Sequence, residues 1–333
     1  MLNKIYVNIK NFIKDNFVFL LSLLIIYIVL TFPLPYYIYN GGGILGINDR
    51  IKIDNLDDSK QDINLCYVNQ LKGNVGTFLL SYIIPHWDRE RIIEEEYNYE
   101  EELYRSKIML EESINNATIN AYKKANKEYN ITGEKVLVTY IFDEAKTDLE
   151  VGDQIIKVDN NIIHNADEFK NIINENEIGQ ELSIEVLSKD KKKIRKATVI
   201  DLEGEKKTGI GIITNYLIDT NPEIEIKFKG NEAGPSGGLM LTVAIYDKLT
   251  NSNISKDRKI CGTGTIDISG NVGEIGGIKY KLKGAVDSGC DIFITPTDNY
   301  EEVKNEMKEN KYDIEIYEAK TFDETIEYLL ENK

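Results

Sequence analysis

The run from Phe17 to Leu34 constrains this chain most. It is apolar apart from Ser22, Thr31 and Pro33. As a helix, a run of this length spans about 27 Å, just enough for a bilayer core. Lys4, Lys10 and Lys14 precede it, and no Lys or Arg follows until Arg50. Tyr36, Tyr37 and Tyr39 follow, as in an interfacial aromatic belt. The positive charge therefore places residues 1–16 in the cytoplasm, a single-pass anchor at 17–36 in the cell membrane, and the bulk of the chain outside. Two rivals stay open. One is a cleaved signal peptide, for which the run is long and lacks a small-residue cleavage site. The other is a buried helix of a soluble protein.

At 333 residues the chain holds more than one domain. Its net charge of −16 and lack of a basic patch argue against a nucleic-acid partner. The short run Lys189-Asp190-Lys191-Lys192-Lys193 reads as a solvated hairpin tip. Cys66, Cys261 and Cys290 contain no CxxC pair, so neither a disulfide scaffold nor a zinc site is expected. No GxxxxGK[ST] loop occurs, and no cofactor is expected. His86 and His164 lie away from any nucleophile motif, which leaves both structural and a Ser-His-Asp triad unsupported.

Taken in order, residues 40–85 read as β structure, with Gly41–Gly43 a loop, Arg50–Asp54 an alternating strand and Gly76–Ile84 a continuous apolar strand. Residues 88–129 read as one or two amphipathic helices, broken at Asn130–Gly133. Strands then follow at 135–141, 154–160, 182–187 and 194–200, with a turn at 149–153 and a helix from Ala166 to Ile173. From residue 208 strands alternate with helices, as in an α/β or α+β domain.

Residues 133–203 resemble a PDZ domain. The resemblance rests on Leu149-Glu150-Val151-Gly152-Asp153-Gln154-Ile155, Val158-Asp159 and Ile163, followed by a helix. It implies capture of peptides as an added strand. It would put the carboxylate-binding loop near Gly133–Val138, where the usual residues are poorly matched.

The chemistry centres on Gly234-Pro235-Ser236-Gly237-Gly238, just before an apolar run. A serine hydroxyl needs a base, and with histidine poorly placed a lysine is the alternative. Such a lysine must be neutral; a three-unit fall from about 10.4 costs roughly 4 kcal/mol, which burial can impose. Gly276-Gly277-Ile278-Lys279-Tyr280-Lys281-Leu282-Lys283 offers three. Helical spacing puts Lys281 beside the apolar stripe, with Lys279 and Lys283 toward solvent. Gly234, Gly237 and Gly238 allow close approach of a substrate carbonyl, and amides near Ser236 and at the start of the next helix are candidates for an oxyanion site. Alone, this glycine turn reads more readily as structural than catalytic.

The two motifs together resemble the proteolytic domain of Lon proteases, over residues 204–333. That resemblance implies Ser236 as nucleophile and Lys281, the second lysine of GGxKxK, as base. Thr263 would be the strand threonine that orients the lysine, with Gly234, Pro235 and Gly237 supporting. Two departures are Ala233, where an acidic residue is common, and Gly237, where alanine is common. Thr265 stands where the family usually has glutamate.

The anchor, the PDZ-like unit and the missing ATP loop together resemble membrane-anchored PDZ–Lon-like proteases. The implied architecture is α+β: a transmembrane helix, residues 37–132 packing with the protease, a β-rich PDZ-like domain and a Lon-type α/β domain. The implied function is ATP-independent cleavage of extracytoplasmic proteins or peptides, possible in a homo-oligomer. Two other classes stay open: a membrane-bound adaptor with an inert protease-like domain, and an unrelated enzyme that uses the glycine turn for phosphate.

Overall fold

The computed structural model describes residues 2–56, 61–92, 99–202, 204–230 and 232–331. Part of the helix expected over 88–129, namely 93–98, lies outside the described residues. The chain divides into two compact units, one of residues 1–42 and 68–97 and one of residues 43–67 and 98–333.

In chain order the first elements are α1 (Leu2–Asp15), α2 (Phe17–Thr31), β1 (Pro33–Gly46), β2 (Ile51–Ile53), β3 (Ile63–Asn74), α3 (Val75–Leu80), β4 (Asp88–Arg91), α4 (Tyr99–Lys124) and β5 (Glu128–Ile141). The smaller unit holds α1, α2, α3, β4 and the outer parts of β1 and β3. Within it β4 pairs antiparallel with β1, setting Tyr36 opposite Arg91 and Tyr39 opposite Asp88.

Three expectations change here. The helix of the apolar run ends at Thr31, not at residue 36. Phe32 is already extended (φ −62°, ψ 123°), because a residue before proline is pushed out of the helical region and Pro33 lacks the N–H to continue. Among the described residues no single helix is long and apolar enough to cross a membrane; Asn8–Asp15 and Phe17–Thr31 pass that test only as a pair, bent by 74°. Second, the segment read as a strand at Gly76–Ile84 opens as helix α3. Asn74 and Thr77 cap it reciprocally: Thr77 N donates to Asn74 Oδ1 at 2.8 Å and Asn74 N to Thr77 Oγ1 at 2.9 Å. Third, Gly41–Gly43 belong to β1 rather than a loop.

The remaining elements are β6 (Gln154–Val158), β7 (Asn161–Ile162), α5 (Ala166–Glu175), β8 (Glu181–Ser188), β9 (Lys191–Thr198), β10 (Ile200–Leu202), β11 (Glu205–Lys207), β12 (Ile210–Asn221) and β13 (Ile224–Ile226). They continue with α6 (Gly238–Thr250), β14 (Ile260–Gly262), β15 (Thr265–Ile266), β16 (Val272–Gly273), α7 (Ile278–Asp287), β17 (Ile292–Pro296), α8 (Thr297–Asn310), β18 (Glu315–Ala319) and α9 (Phe322–Glu331).

The larger unit is built on two sheets. One is antiparallel, ordered β12-β5-β6-β8-β9. Its buried face carries Val136, Val138, Leu182, Ile184 and Val186, closed by Phe169 and Ile173 of α5. Alternation supplies this face: β8 reads exposed and buried in turn from Glu181 to Ser188. The lysine run is a hairpin, but only Lys189 and Asp190 turn, with φ of 49° and 63°; Lys191–Lys193 lie on β9.

The other sheet runs β18-β17-β14-β3 with parallel pairing throughout. Parallel strands need cover on both faces, and they read accordingly as continuous apolar runs. β17 is buried along its whole length. On one side Ile260 and Ile292 pack with α6, Ala117 and Ala121 of α4, and Phe322 and Ile326 of α9. On the other, Cys261 and Phe293 pack with Ile278, Leu282 and Ala285 of α7 and Val303 of α8.

Candidate active site

Parallel sheets offer binding positions beyond the carboxyl ends of their strands. β14 stops at Gly262, and Thr263-Gly264 turn there before β15. Gly264 has φ +152°, and a Cβ on it would stand 2.9 Å from Val272. Only glycine fits this turn.

The turn holds the serine segment. Gly264 N donates to Ser236 O at 2.8 Å, and Thr263 Oγ1 donates to the same oxygen at 2.9 Å. Leu239 N returns a bond to Gly264 O at 3.0 Å. Ser236 is half-buried, at the turn that opens α6. Gly234 supplies φ +100° just before it. Gly237 stands close under Leu65: a Cβ would lie 3.0 Å from Leu65 Cδ2, which gives a physical reason for glycine where alanine is common.

The base candidate arrives from the other side. Gly277, at φ +70°, starts α7. One turn on, Lys281 is buried with only 3% of its surface exposed. Its Nζ donates to Thr263 Oγ1 at 3.2 Å. Thr263 is thus one link between Lys281 and the Ser236 backbone, and it lies in the turn just past β14 rather than on the strand. Burial lowers the Lys281 ammonium from 10.5 to about 8. Cys66 is the neighbouring titratable group, but burial pushes its thiol up to about 12, so it stays neutral and offers the lysine no counter-charge. The other two lysines are placed differently. Lys283 pairs with Asp287 at 2.7 Å, and the Lys279 ammonium lies 5.0 Å from the centre of the Tyr280 ring.

Ser236, Thr263 and Lys281 are therefore brought together, with Gly234, Pro235 and Gly237 forming the serine turn. His164 is exposed beside α5, and His86 belongs to the smaller unit.

Sequence reasoning missed three contributors. The first is α4. Ser106 O accepts from Gly234 N at 3.0 Å, and Ser113 Oγ donates to Pro235 O at 3.1 Å. The second is Arg50, whose two terminal nitrogens reach Glu232 Oε1 and Oε2 at 2.7 Å each and steady the approach to the serine turn. The third is a disulfide. Cys261, two residues before Thr263, bonds Cys290 in the turn after α7, with Cα atoms 6.0 Å apart. The cysteines were read as holding no disulfide framework; the parallel pairing of β14 with β17 brings these two together. No short spacing signals it.

A second concave feature lies in the antiparallel sheet. The carboxylate-binding loop expected near Gly133–Val138 is not available there. Those residues are central in β5, which pairs with β12 on one side and β6 on the other. A groove of about 580 Å³ lies between α5, β11 and β12, lined by Lys170 and Asn174 of α5, Glu205 and Lys207 of β11, and Ile210 and Ile212 of β12.

Residues 229–332 match the family model of the Lon protease (S16) C-terminal proteolytic domain. A Lon protease from Fusobacterium nucleatum is 40% identical over 91 residues, which is 27% of this chain and 12% of that protein. One from Lawsonia intracellularis is 36% identical over 93 residues, 28% of this chain and 11% of that protein. Lon protease 2 of Bacillus subtilis is 32% identical over 112 residues, 33% of this chain and 19% of that protein. The chain thus covers less than a fifth of the length of each of these relatives. Among solved structures, the PDZ domain of an SdrC-like protein from Listeria monocytogenes is 24% identical, covering 25% of this chain and 92% of that one, with a TM-score of 0.23.

Proposed function

We propose that the chain is an ATP-independent serine endopeptidase with a Ser236–Lys281 dyad, a reading supported by the match of residues 229–332 to the Lon protease (S16) C-terminal proteolytic domain model. The observation that carries this reading is the buried Lys281 bonded through Thr263 to the serine turn. Thr263 spends its hydroxyl proton on Ser236 O. Its lone pair must then receive an N–H from Lys281, which fixes the amine while leaving the lone pair of a neutral lysine free for the Ser236 hydroxyl.

Ser236 Oγ attacks the scissile carbonyl carbon as Lys281 Nζ takes its proton. Collapse of the tetrahedral intermediate expels the amine, which receives that proton, and leaves an ester on Ser236. Lys281 then deprotonates a water, which hydrolyses the ester and frees Ser236. The amides of Gly234, Gly238 and Leu239 are spent on Ser106 O, Pro235 O and Gly264 O. We assign the oxyanion site to the Ser236 and Gly237 amides at the head of α6.

We take the substrates to be extended or unfolded segments. The edge of β12 beside α5 is the place for such a segment to add as a strand, along the half-buried Ile210 and Ile212. α2 anchors the chain, and the charge bias puts the catalytic unit outside the cytoplasm.

The test uses the full chain and an unstructured polypeptide. Ser236→Ala and Lys281→Ala should each lower cleavage about 10³-fold or more. Cleavage by either variant at the unsubstituted rate contradicts the dyad. Peptide binding without turnover in the unsubstituted chain identifies an adaptor instead.

A further inference from the structure

α2 is short for a membrane anchor. Its 15 residues make about 22 Å of helix, against roughly 30 Å of hydrocarbon. A span that falls short draws its flanking residues toward the bilayer.

The smaller unit places an apolar segment at that end. Val75 N donates to Phe32 O at 3.1 Å, so α3 starts against the last turn of α2. A Cβ on Gly76 would stand 3.2 Å from Leu30 O, which shows how close the two backbones run. From Val75 to Trp87 the sequence has no Asp, Glu, Lys or Arg. Within it Leu79, Leu80, Tyr82 and Ile83 are exposed, Ile83 by 77%. Their backbone asks little of water. Tyr82 N donates to Leu79 O, and Ile83 N and Ile84 N both donate to Leu80 O. A segment entering the bilayer boundary must meet that condition. At its rim, the Arg89 guanidinium lies 3.6 Å from the centre of the Tyr82 ring, an arrangement that suits lipid phosphate above and acyl chains below.

We propose that α3 and the turns after it form a second membrane contact, seating Leu79, Leu80, Tyr82 and Ile83 in the headgroup–acyl boundary where α2 ends. The patch continues the bare apolar surface of α2, in which no residue is buried. Its occupant is therefore the same lipid surface. This inference rests on reading α2 as an anchor, and the test separates the two.

Trp87 is the only tryptophan, so Trp87→Phe with Ile83→Trp leaves one indole, in the patch. The full chain carrying both changes is reconstituted in phosphatidylcholine–phosphatidylglycerol vesicles, with and without bromine on the acyl carbons near the headgroup. The expected result is at least twofold quenching by the brominated lipid. Adding Leu79→Asp and Leu80→Asp should remove more than half of that quenching while the chain still resists alkaline carbonate extraction. A chain that resists carbonate but shows no bromine quenching overturns the second contact and leaves the anchor. Absent bromine quenching together with protection from aqueous acrylamide overturns it in favour of a protein cover. Release by carbonate overturns the anchor, and the second contact with it.

Discussion

α2 and α6 are both apolar helices of similar length, 15 and 13 residues, and the structure treats them oppositely. α2 has no buried residue; α6 buries eleven of its thirteen. Their polar residues separate them. α2 contains no ionisable group other than Tyr27. In α6, Lys248 Nζ donates to Asn48 O and Ile51 O at 3.0 and 2.6 Å, and Asp247 accepts from Ile254 N at 2.8 Å. Such partners exist only inside protein. An apolar helix with placed polar hooks is a core helix, whereas one without them has no protein surface to hook onto. The difference serves the site, because α6 must hold Ser236 rigidly at its head.

Three substitutions in α6, from the largest effect down, and one matched change in α2 sharpen this contrast. Ala244→Asp buries an unpaired carboxylate among fully buried neighbours and should cost about 4 kcal/mol or more, with loss of the folded larger unit by circular dichroism. The matched Leu24→Asp in α2 should leave that unit's unfolding midpoint unchanged. Equal losses would erase the contrast. Gly238→Ala is smaller: its Cβ would stand 2.5 Å from Ser113 Oγ and 2.8 Å from Ile266, so denaturant unfolding should show a loss of about 2 kcal/mol. Cleavage should fall with it, since Ser113 holds Pro235 O. Smallest is Lys248→Met, which leaves the Asn48 and Ile51 carbonyls short of a donor, at about 1–2 kcal/mol. An unchanged denaturant midpoint in that variant would mean the hooks do not hold α6.

The contrast also shows what a sequence can disclose. Ser236 and Lys281 were readable as candidates because glycines mark the turn that holds Ser236 and the start of the helix that holds Lys281. The hooks and braces were not. Ser106 and Ser113 act on the serine turn from more than a hundred residues away, and Cys261 reaches Cys290 only through parallel pairing. Gly76–Ile84 was read as a strand because its apolar run is short and continuous; the Asn74–Thr77 cap, visible in the letters, marks a helix start. The carboxylate-binding loop expected near Gly133–Val138 falls on strand β5 for a different reason. The strand that closes the antiparallel sheet, β12, lies at Ile210–Asn221, outside the 133–203 segment that carries the PDZ-like pattern.

The proposed dyad requires Lys281 to be neutral when it acts. Burial lowers its pKa from 10.5 to about 8. Between those values the unfolded chain binds the proton that the native chain has released. The burial penalty is complete below about pH 8 and disappears as pH rises toward 10.5. Stability from this group therefore rises with pH from about 8 to 10.5, whereas the fraction of neutral base climbs up to about pH 8 and then saturates. The most direct measurement is kcat/KM for an unstructured polypeptide between pH 6 and 10, with the Lys281→Ala chain alongside. We predict a rate that climbs tenfold per pH unit below about 8, levels off above it, and falls to background in the variant. A flat profile, or a climb that survives in Lys281→Ala, would contradict Lys281 as the base.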